Sequence, residues 1–456
     1  MIRRLPHRLP HRLRAAAVSA ATTVAFAFIL VLTVRPVQAT EIERVVSPGG
    51  IEAWLVQDHL NPIISMRIAW RGGSALDPKG KEGLANMAST LLDEGADDLD
   101  SKTFQQTLED NSITLRFDSA RDSFGARLQV LTEYRDLAFD LLRKAMTKPR
   151  FDAEPVERLR SQLLAGLRRD QEQADAIAGK TLMATLYPDH PYGRPTDGTL
   201  ETVAKISAED LKQFADQRLA RDNLVIGIVG DITPEQLAPL LDKTFGTLPA
   251  KASPWQIPEA TPKADGRTIV IDKPVKQSSI LFADTGIMRH DPDFYAAYVM
   301  NHILGGGGFT SHLYTEVREK RGLAYSVYSY LHPLDRSAIY LGGAGTANAR
   351  VAETLAVVRD EWAKMAKDGV TDDELEAAKQ YLTGSFPLRF TATERIASML
   401  VGMQLEDLGM DYLDKRNSYI EAVSADDIRR VARKLLHPKR LTIVVVGQPK
   451  DVTPTQ

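Results

Sequence analysis

The chain has 456 residues, enough for two or three ordinary domains, and its 43% hydrophobic and 26% charged residues are the proportions of a globular protein. A formal net charge of -3 argues against a nucleic-acid binder, which would carry a basic domain or stripe. The complete lack of cysteine excludes structural disulfides, thiolate metal sites, cysteine nucleophiles and a lipid-modified N-terminal cysteine.

Residues 1–39 differ from the rest. Arg3, Arg4, Arg8, Arg12 and Arg14 precede an apolar run from Ala15 to Val34, and Val37-Gln38-Ala39 has the small-residue form of a cleavage site. The pattern predicts a secretory signal cleaved near Ala39, with an uncleaved anchor as the alternative because the run approaches the ~20 residues of a membrane span. No second run of that length follows, so no stable membrane span is expected after cleavage. An exported, cysteine-free chain fits a bacterial periplasm.

Beyond the leader, Gly50–Gln57 and Ile63–Arg71 read as strands around an Asp58-His59-Leu60-Asn61-Pro62 turn. Leu84–Leu92 reads as a helix with Leu84, Met87, Ala88 and Leu91 at helical spacing. A short helix at Phe104–Leu108 precedes a strand pair at Ile113–Phe117 and Ser123–Val130. Helices follow at Tyr134–Met146, Glu154–Arg169, Ile177–Tyr187 and Ala208–Leu219, then a buried strand at Leu224–Val229. Residues 248–267, LPAKASPWQIPEATPKADGR, have no apolar period and read as a linker. After it come strands at Thr268–Asp272 and Ser279–Asp284, and a helix at Phe294–Leu304. A strand at Ala338–Gly345, five helices between Val351 and Leu436, and a closing strand at Leu441–Val446 complete the chain.

Residues Ile206–Asp231 and Val423–Gln448 align without a gap at an offset of 217, with nine of 26 positions identical. A duplicated unit explains this more simply than two unrelated amphipathic helices each feeding a buried strand. The expected fold is therefore α+β. It has two homologous domains, 40–247 and 268–448, joined by the linker 248–267 and followed by a tail, 449–456. Each domain carries an antiparallel-type sheet and a helical layer.

The stretch Leu304–Tyr330, LGGGGFTSHLYTEVREKRGLAYSVYSY, carries the most chemistry. Gly305, Gly306, Gly307 and Gly308 suit a loop whose backbone approaches something closely. Thr310 or Ser311 can cap a helix, and Gly322 can end it in left-handed geometry. A strand follows, expected to place Leu323, Tyr325 and Val327 on one face and Ala324, Ser326 and Tyr328 on the other. Arg318 and Tyr325 can converge as a donor pair for a carbonyl or a developing oxyanion. They can equally be an arginine answering a helix dipole and a tyrosine at a sheet rim.

This stretch resembles the second-domain motif of the M16 (pitrilysin/insulinase) family of zinc peptidases in its short two-domain form. There an arginine and a tyrosine seven residues later complete the active site from across a clamshell; Arg318 and Tyr325 match in identity and spacing. The glycine run is similar to the substrate-contacting loop of the non-catalytic mitochondrial processing peptidase subunit. One departure is His312, where the family often has arginine. The resemblance covers nearly all of the mature chain and implies two domains facing each other across a cavity.

Active members carry His-x-x-Glu-His on a first-domain helix. Two histidines bind zinc, the glutamate acts as base, and a second glutamate about 75 residues on completes the ligands. Here those positions hold Asn86, Ser89 and Thr90, and the downstream position falls near Ala165-Gly166. Amide and hydroxyl groups are poor zinc ligands beside imidazole and carboxylate. Of the nine histidines, only His7 and His11, in the leader, have a second histidine three to five residues away. There is no Gly-x-Ser-x-Gly elbow and no phosphate loop.

The resemblance with its missing metal site implies a non-catalytic subunit of a periplasmic M16 heterodimer. Zinc is expected in the partner subunit and none on this chain. Arg318 and Tyr325 would act on a peptide substrate, Gly305 to Gly308 would lie beside it, and a strand edge near Gln277–Leu281 would take it by β-augmentation. The alternatives are a scaffolding homologue, like the core subunits of the respiratory bc1 complex, and a stand-alone metallopeptidase with an unrecognised site.

Overall fold

The computed structural model describes residues 41–455. The expected leader and its cleavage site lie outside them. The first half runs β1 (Glu43–Val46), β2 (Glu52–Gln57), β3 (Ile63–Arg71), α1 (Leu84–Ser89), α2 (Ser101–Asp110), β4 (Thr114–Ser119), β5 (Ser123–Leu131), α3 (Arg135–Thr147), α4 (Ala153–Asp170), α5 (Ala174–Leu186), α6 (Leu200–Ala204), α7 (Ala208–Arg218), β6 (Leu224–Gly230) and α8 (Pro234–Phe245). Residues 248–266 have no regular structure. The second half runs β7 (Thr268–Asp272), β8 (Gln277–Thr285), α9 (Phe294–Asn301), β9 (Ala324–Leu334), β10 (Ser337–Ala347), α10 (Val351–Asp368), α11 (Asp372–Gly384), α12 (Thr393–Leu405), α13 (Tyr412–Glu421), α14 (Ala425–Leu435) and β11 (Thr442–Gly447).

The two sheets have the same plan. The first is ordered β1-β2-β6-β3-β5-β4 and the second β7-β11-β8-β10-β9. Removing β1 leaves equivalent strands in equivalent places. In each sheet one pair is parallel, β2 with β6 and β7 with β11, and the rest are antiparallel. The repeated segments become α7–β6 and α14–β11. Each helix opens on a reciprocal capping box, Ser207 with Asp210 and Ser424 with Asp427, which satisfies orphan N–H groups at its first turn. The duplication is thus a structural one.

The period-2 pattern of each strand assigns its two faces. On β3, Ile64, Met66, Ile68 and Trp70 join a core with Met87, Phe139 and Leu211 of the same half. On β11, Ile443 and Val445 join Trp362, Val431 and other residues of the second half. The opposite face of each sheet is also apolar, and the helix that covers it comes from the other half. Helix α5 lies across β11 and β8, where Ala178, Leu182 and Leu186 meet Ala283, Leu341, Val444 and Val446. Helix α12 lies across β6 and β3.

Polar bonds fix α12 at both ends. Ser65 and Thr393 join their hydroxyls at 2.7 Å. Arg71 donates to the terminal carbonyls of Leu405 (2.6 Å) and Gln404 (2.7 Å) and pairs with Asp407 at 2.8 Å, placing a cation at the negative end of the helix. At mid-helix the approach is so close that a Cβ on Gly227 of β6 would lie 2.7 Å from the Ala397 carbonyl oxygen and 2.8 Å from the Leu400 Cβ. Both are atoms that cannot rotate away. Gly227→Leu is therefore expected to destabilise the protein by about 1–3 kcal/mol through overpacking. The measurement is the urea midpoint at unchanged m-value, and an unmoved midpoint would show that α12 does not rest on β6.

Candidate functional site

On the first-half side, α1 begins after Gly83, which is in left-handed geometry, and ends at Thr90. Leu84, Met87 and Ala88 are buried and hold the helix to the sheet. The two hydroxyls at the metal-motif positions are turned to their own backbone. Ser89 Oγ donates to the Asn86 carbonyl at 2.8 Å, and Thr90 Oγ1 to the Met87 carbonyl at 2.9 Å. Nearby acids have other work. Asp77 accepts from the N–H groups of Gly83 (2.9 Å) and Ala85 (3.1 Å), and burial pushes its carboxyl up to about 7. Asp93 is pushed up to about 6 by burial and pairs with Arg116 at 2.8 Å. Ala165 and Gly166 sit within α4 and offer no side-chain donor atoms. Among the described residues no three His, Cys, Asp or Glu side chains are grouped to hold a metal ion. This donor set does not fit zinc.

On the second-half side, the glycine run is more regular than a loop. Residues His302–Gly306 continue α9 as a π-helical turn and Gly308–Thr310 form a single 3-10 turn. The close approaches that exclude side chains here are internal. A Cβ on Gly305 would meet the Ser329 amide nitrogen of β9 at 2.8 Å, one on Gly306 the Asn301 side chain at 2.5 Å, and one on Gly307 the His302 carbonyl at 2.6 Å. Only Gly308, at φ +59°, faces open space. Ser311 Oγ accepts from the Tyr314 N–H at 3.4 Å and so caps the next helical segment, while Gly322, at φ +58°, ends it.

That segment is π-wound over Tyr314–Glu319. Arg318 stands in it with its guanidinium carbon 4.9 Å from the ring centroids of both Tyr314 and Tyr325. Arg318 and Tyr325 therefore converge, but by stacking. Tyr314 was missed in the sequence, although its position four residues before Arg318 is the ordinary spacing of helical neighbours. Phe309 extends the stack, edge-on to Tyr314 at 5.0 Å. Phe309 and Tyr325 are 74% and 75% exposed, so this aromatic–cation row is presented outward.

The position of Tyr325 corrects the expected strand faces. Ser326 pairs with Gly345 and Ala324 with Thr346, which leaves Tyr325 without a partner on β10. This is a β-bulge, and it shifts the alternation by one. Ala324 and Val327 both turn into the core, while Tyr325, Ser326 and Tyr328 are exposed. Beyond the bulge, Ser326, Tyr328 and Tyr330 line a cavity of about 760 Å³ against Asp175 and Met183 of α5. A second correction concerns the edge near Gln277–Leu281. These residues belong to β8, which pairs with β10 throughout and with β11 from Ser279 to Ala283, so of this stretch only Gln277 and Ser278 lack a second partner and no edge long enough for an added strand exists there. His312 binds Glu374 of α11 at 2.7 Å, and His302 stacks on Tyr381 at 5.0 Å with burial lowering its pKa, so the two bracket the glycine turn without facing a common point.

Known proteins share this organisation. Residues 54–200 match the family described as Insulinase (Peptidase family M16), and residues 205–382 match the Peptidase M16 inactive domain. The chain is 31% identical over 346 residues to the non-peptidase homolog YmxG of Helicobacter pylori, covering 75% of this chain and 79% of that protein. It is 30% identical over 332 residues to an uncharacterized zinc protease of Streptomyces coelicolor, covering 71% of each. A crystal structure of a peptidase M16 inactive domain from Pseudomonas fluorescens superposes with a TM-score of 0.84 at 29% identity, over 91% of this chain and 100% of that one. The chain belongs to peptidase family M16 and folds as two M16-type domains.

Proposed function

We propose that this chain is the non-catalytic subunit of a two-subunit M16 metallopeptidase of the bacterial periplasm. Its partner carries the zinc, and this chain presents Arg318 and Tyr325 to a peptide held between the subunits. The observation that carries the reading is the contrast between the halves. The first-half helix has no ligand or base, whereas the second half keeps a half-buried guanidinium stacked beside an exposed phenol. The name borne by the Helicobacter pylori relative, a non-peptidase homolog, supports the same division of labour.

Arg318 is a permanent cation with a planar fork of N–H donors, and Tyr325 adds an O–H donor. Stacking holds the guanidinium plane without consuming those N–H groups. They stay available for a substrate carbonyl and for the charge that grows on its oxygen as a tetrahedral species forms. Gly308, exposed and facing open space, leaves room for peptide backbone beside Phe309. The signal-like residues 1–39 support export.

The first experiment is purification of the tagged chain from its own organism with zinc measured per tagged chain. About one zinc per chain, in the company of a second M16-type protein and lost when that protein is removed, is the expected result. Zinc that stays with the isolated chain would overturn the proposal. In the reconstituted pair, Arg318→Ala is expected to lower the turnover of peptide hydrolysis by on the order of 100-fold, the usual cost of one oxyanion donor. Tyr325→Phe should lower it less, because the ring that stacks on Arg318 remains. Turnover unchanged by both substitutions would indicate a scaffolding subunit.

A further inference from the structure

A second cavity, of about 290 Å³, lies between α12 on one wall and α9 and α13 on the other. It shares no lining residue with the cavity beside Tyr325. Its walls are largely aromatic, with Phe294, Tyr298 and Phe386 among them, yet three arginines also face it. Arg416 is only 5% exposed. Its guanidinium lies 4.0 Å over the Phe386 ring, and Nη1 donates to the Leu382 carbonyl (3.1 Å) and Asn417 Oδ1 (3.0 Å). Arg289 stacks 4.3 Å from the Phe294 ring and donates to the hydroxyls of Tyr412 (3.2 Å) and Tyr295 (3.3 Å). Arg389 stands at the exposed rim.

Among the described residues none of these three arginines forms an ion pair with a carboxylate. One acid, Glu406, lines the cavity; burial raises its pKa, with Arg289 the largest opposing influence. A buried guanidinium bonded only to neutral groups is costly to desolvate, and Glu406, the one carboxylate on the wall, makes no ion pair with any of the three. The aromatic walls disfavour a strongly hydrated inorganic anion. The volume is about twice that of a cavity that accepts benzene, room for one apolar group and the carboxylate attached to it. We propose that this cavity is a binding site for a carboxylate borne on an apolar group, such as an aryl or alkyl acid or the C-terminus of a peptide ending in an apolar residue.

Calorimetric titration of the full chain with N-acetyl-L-phenylalanine, with its amide, and with 3-phenylpropionate tests the site. The acid is expected to bind at least tenfold more tightly than the amide. Arg389→Gln, a change at an exposed position, should weaken the acid about tenfold and leave the amide unaffected. Gly402→Leu provides a variant that keeps the fold. Gly402 lines the cavity from α12, and a Cβ placed there meets no atom within 4 Å. That variant should retain its thermal midpoint and lose the acid. Equal binding of acid and amide, undiminished binding in a folded Gly402→Leu variant, or binding of none of the three probes would each overturn the proposal. Between the two sources, 3-phenylpropionate matching N-acetyl-L-phenylalanine supports a free apolar acid, and its failure supports a peptide C-terminus.

Discussion

Strands β6 and β11 read LVIGIVG and TIVVVG, and a strand with apolar side chains on both faces must be covered twice. One cover comes from each half's own helices. The other comes from α12 on the first sheet and α5 on the second, so neither half completes its core alone. The burial of Ile396, Leu400, Val401 and Met403 gives the scale. At roughly 1.5–3 kcal/mol for each large apolar side chain, this one helix contributes on the order of 6–12 kcal/mol as an upper bound. That is comparable with the net stability of a whole domain.

The Arg318 site depends on this frame through two local irregularities. A π-wound turn orients Arg318 between two rings, and a bulge takes Tyr325 out of the strand alternation and exposes it. Regular structure would have placed Tyr325 on the Val327 face, inside the core. Bulges and π-turns commonly mark places where a side chain is re-aimed. The surrounding packing holds them. Val317 and Leu323 are buried, the Leu323 N–H reaches the Val317 carbonyl, and the Gly305 backbone rests against β9.

Much of this was legible in the sequence where local rules decide. Strand Ile63–Arg71 and the helix from Ala208 follow from periodicity and a Ser-x-x-Asp cap, and the duplication is visible as an ungapped match. The missing zinc ligands needed only the identities of Asn86, Ser89 and Thr90. What escaped depends on distant partners. Helices α5 and α12 carry apolar residues that read as ordinary helix, and nothing local tells which sheet they cover. The bulge at Tyr325 is set by the register of β10, so alternation read along β9 alone assigns the wrong face. Strand β8 looked available as an edge because its neighbours, β10 and β11, lie far away in sequence. The glycine run looked like a place for a ligand because the neighbours that exclude a Cβ there come from the folded turn and from β9.

The exchange of α5 and α12 has a consequence for assembly between duplicated chains. Taken alone, each half would leave one apolar sheet face uncovered while carrying a helix that fits the corresponding face of the other half. Within one chain the linker 248–267 confines the two halves to a small volume, and a short tether of this kind sets an effective concentration near the millimolar range. Partners arriving from outside compete with that tether at far lower concentration. The linker therefore favours closing each exchange within its own chain over the same exchange with a separate chain.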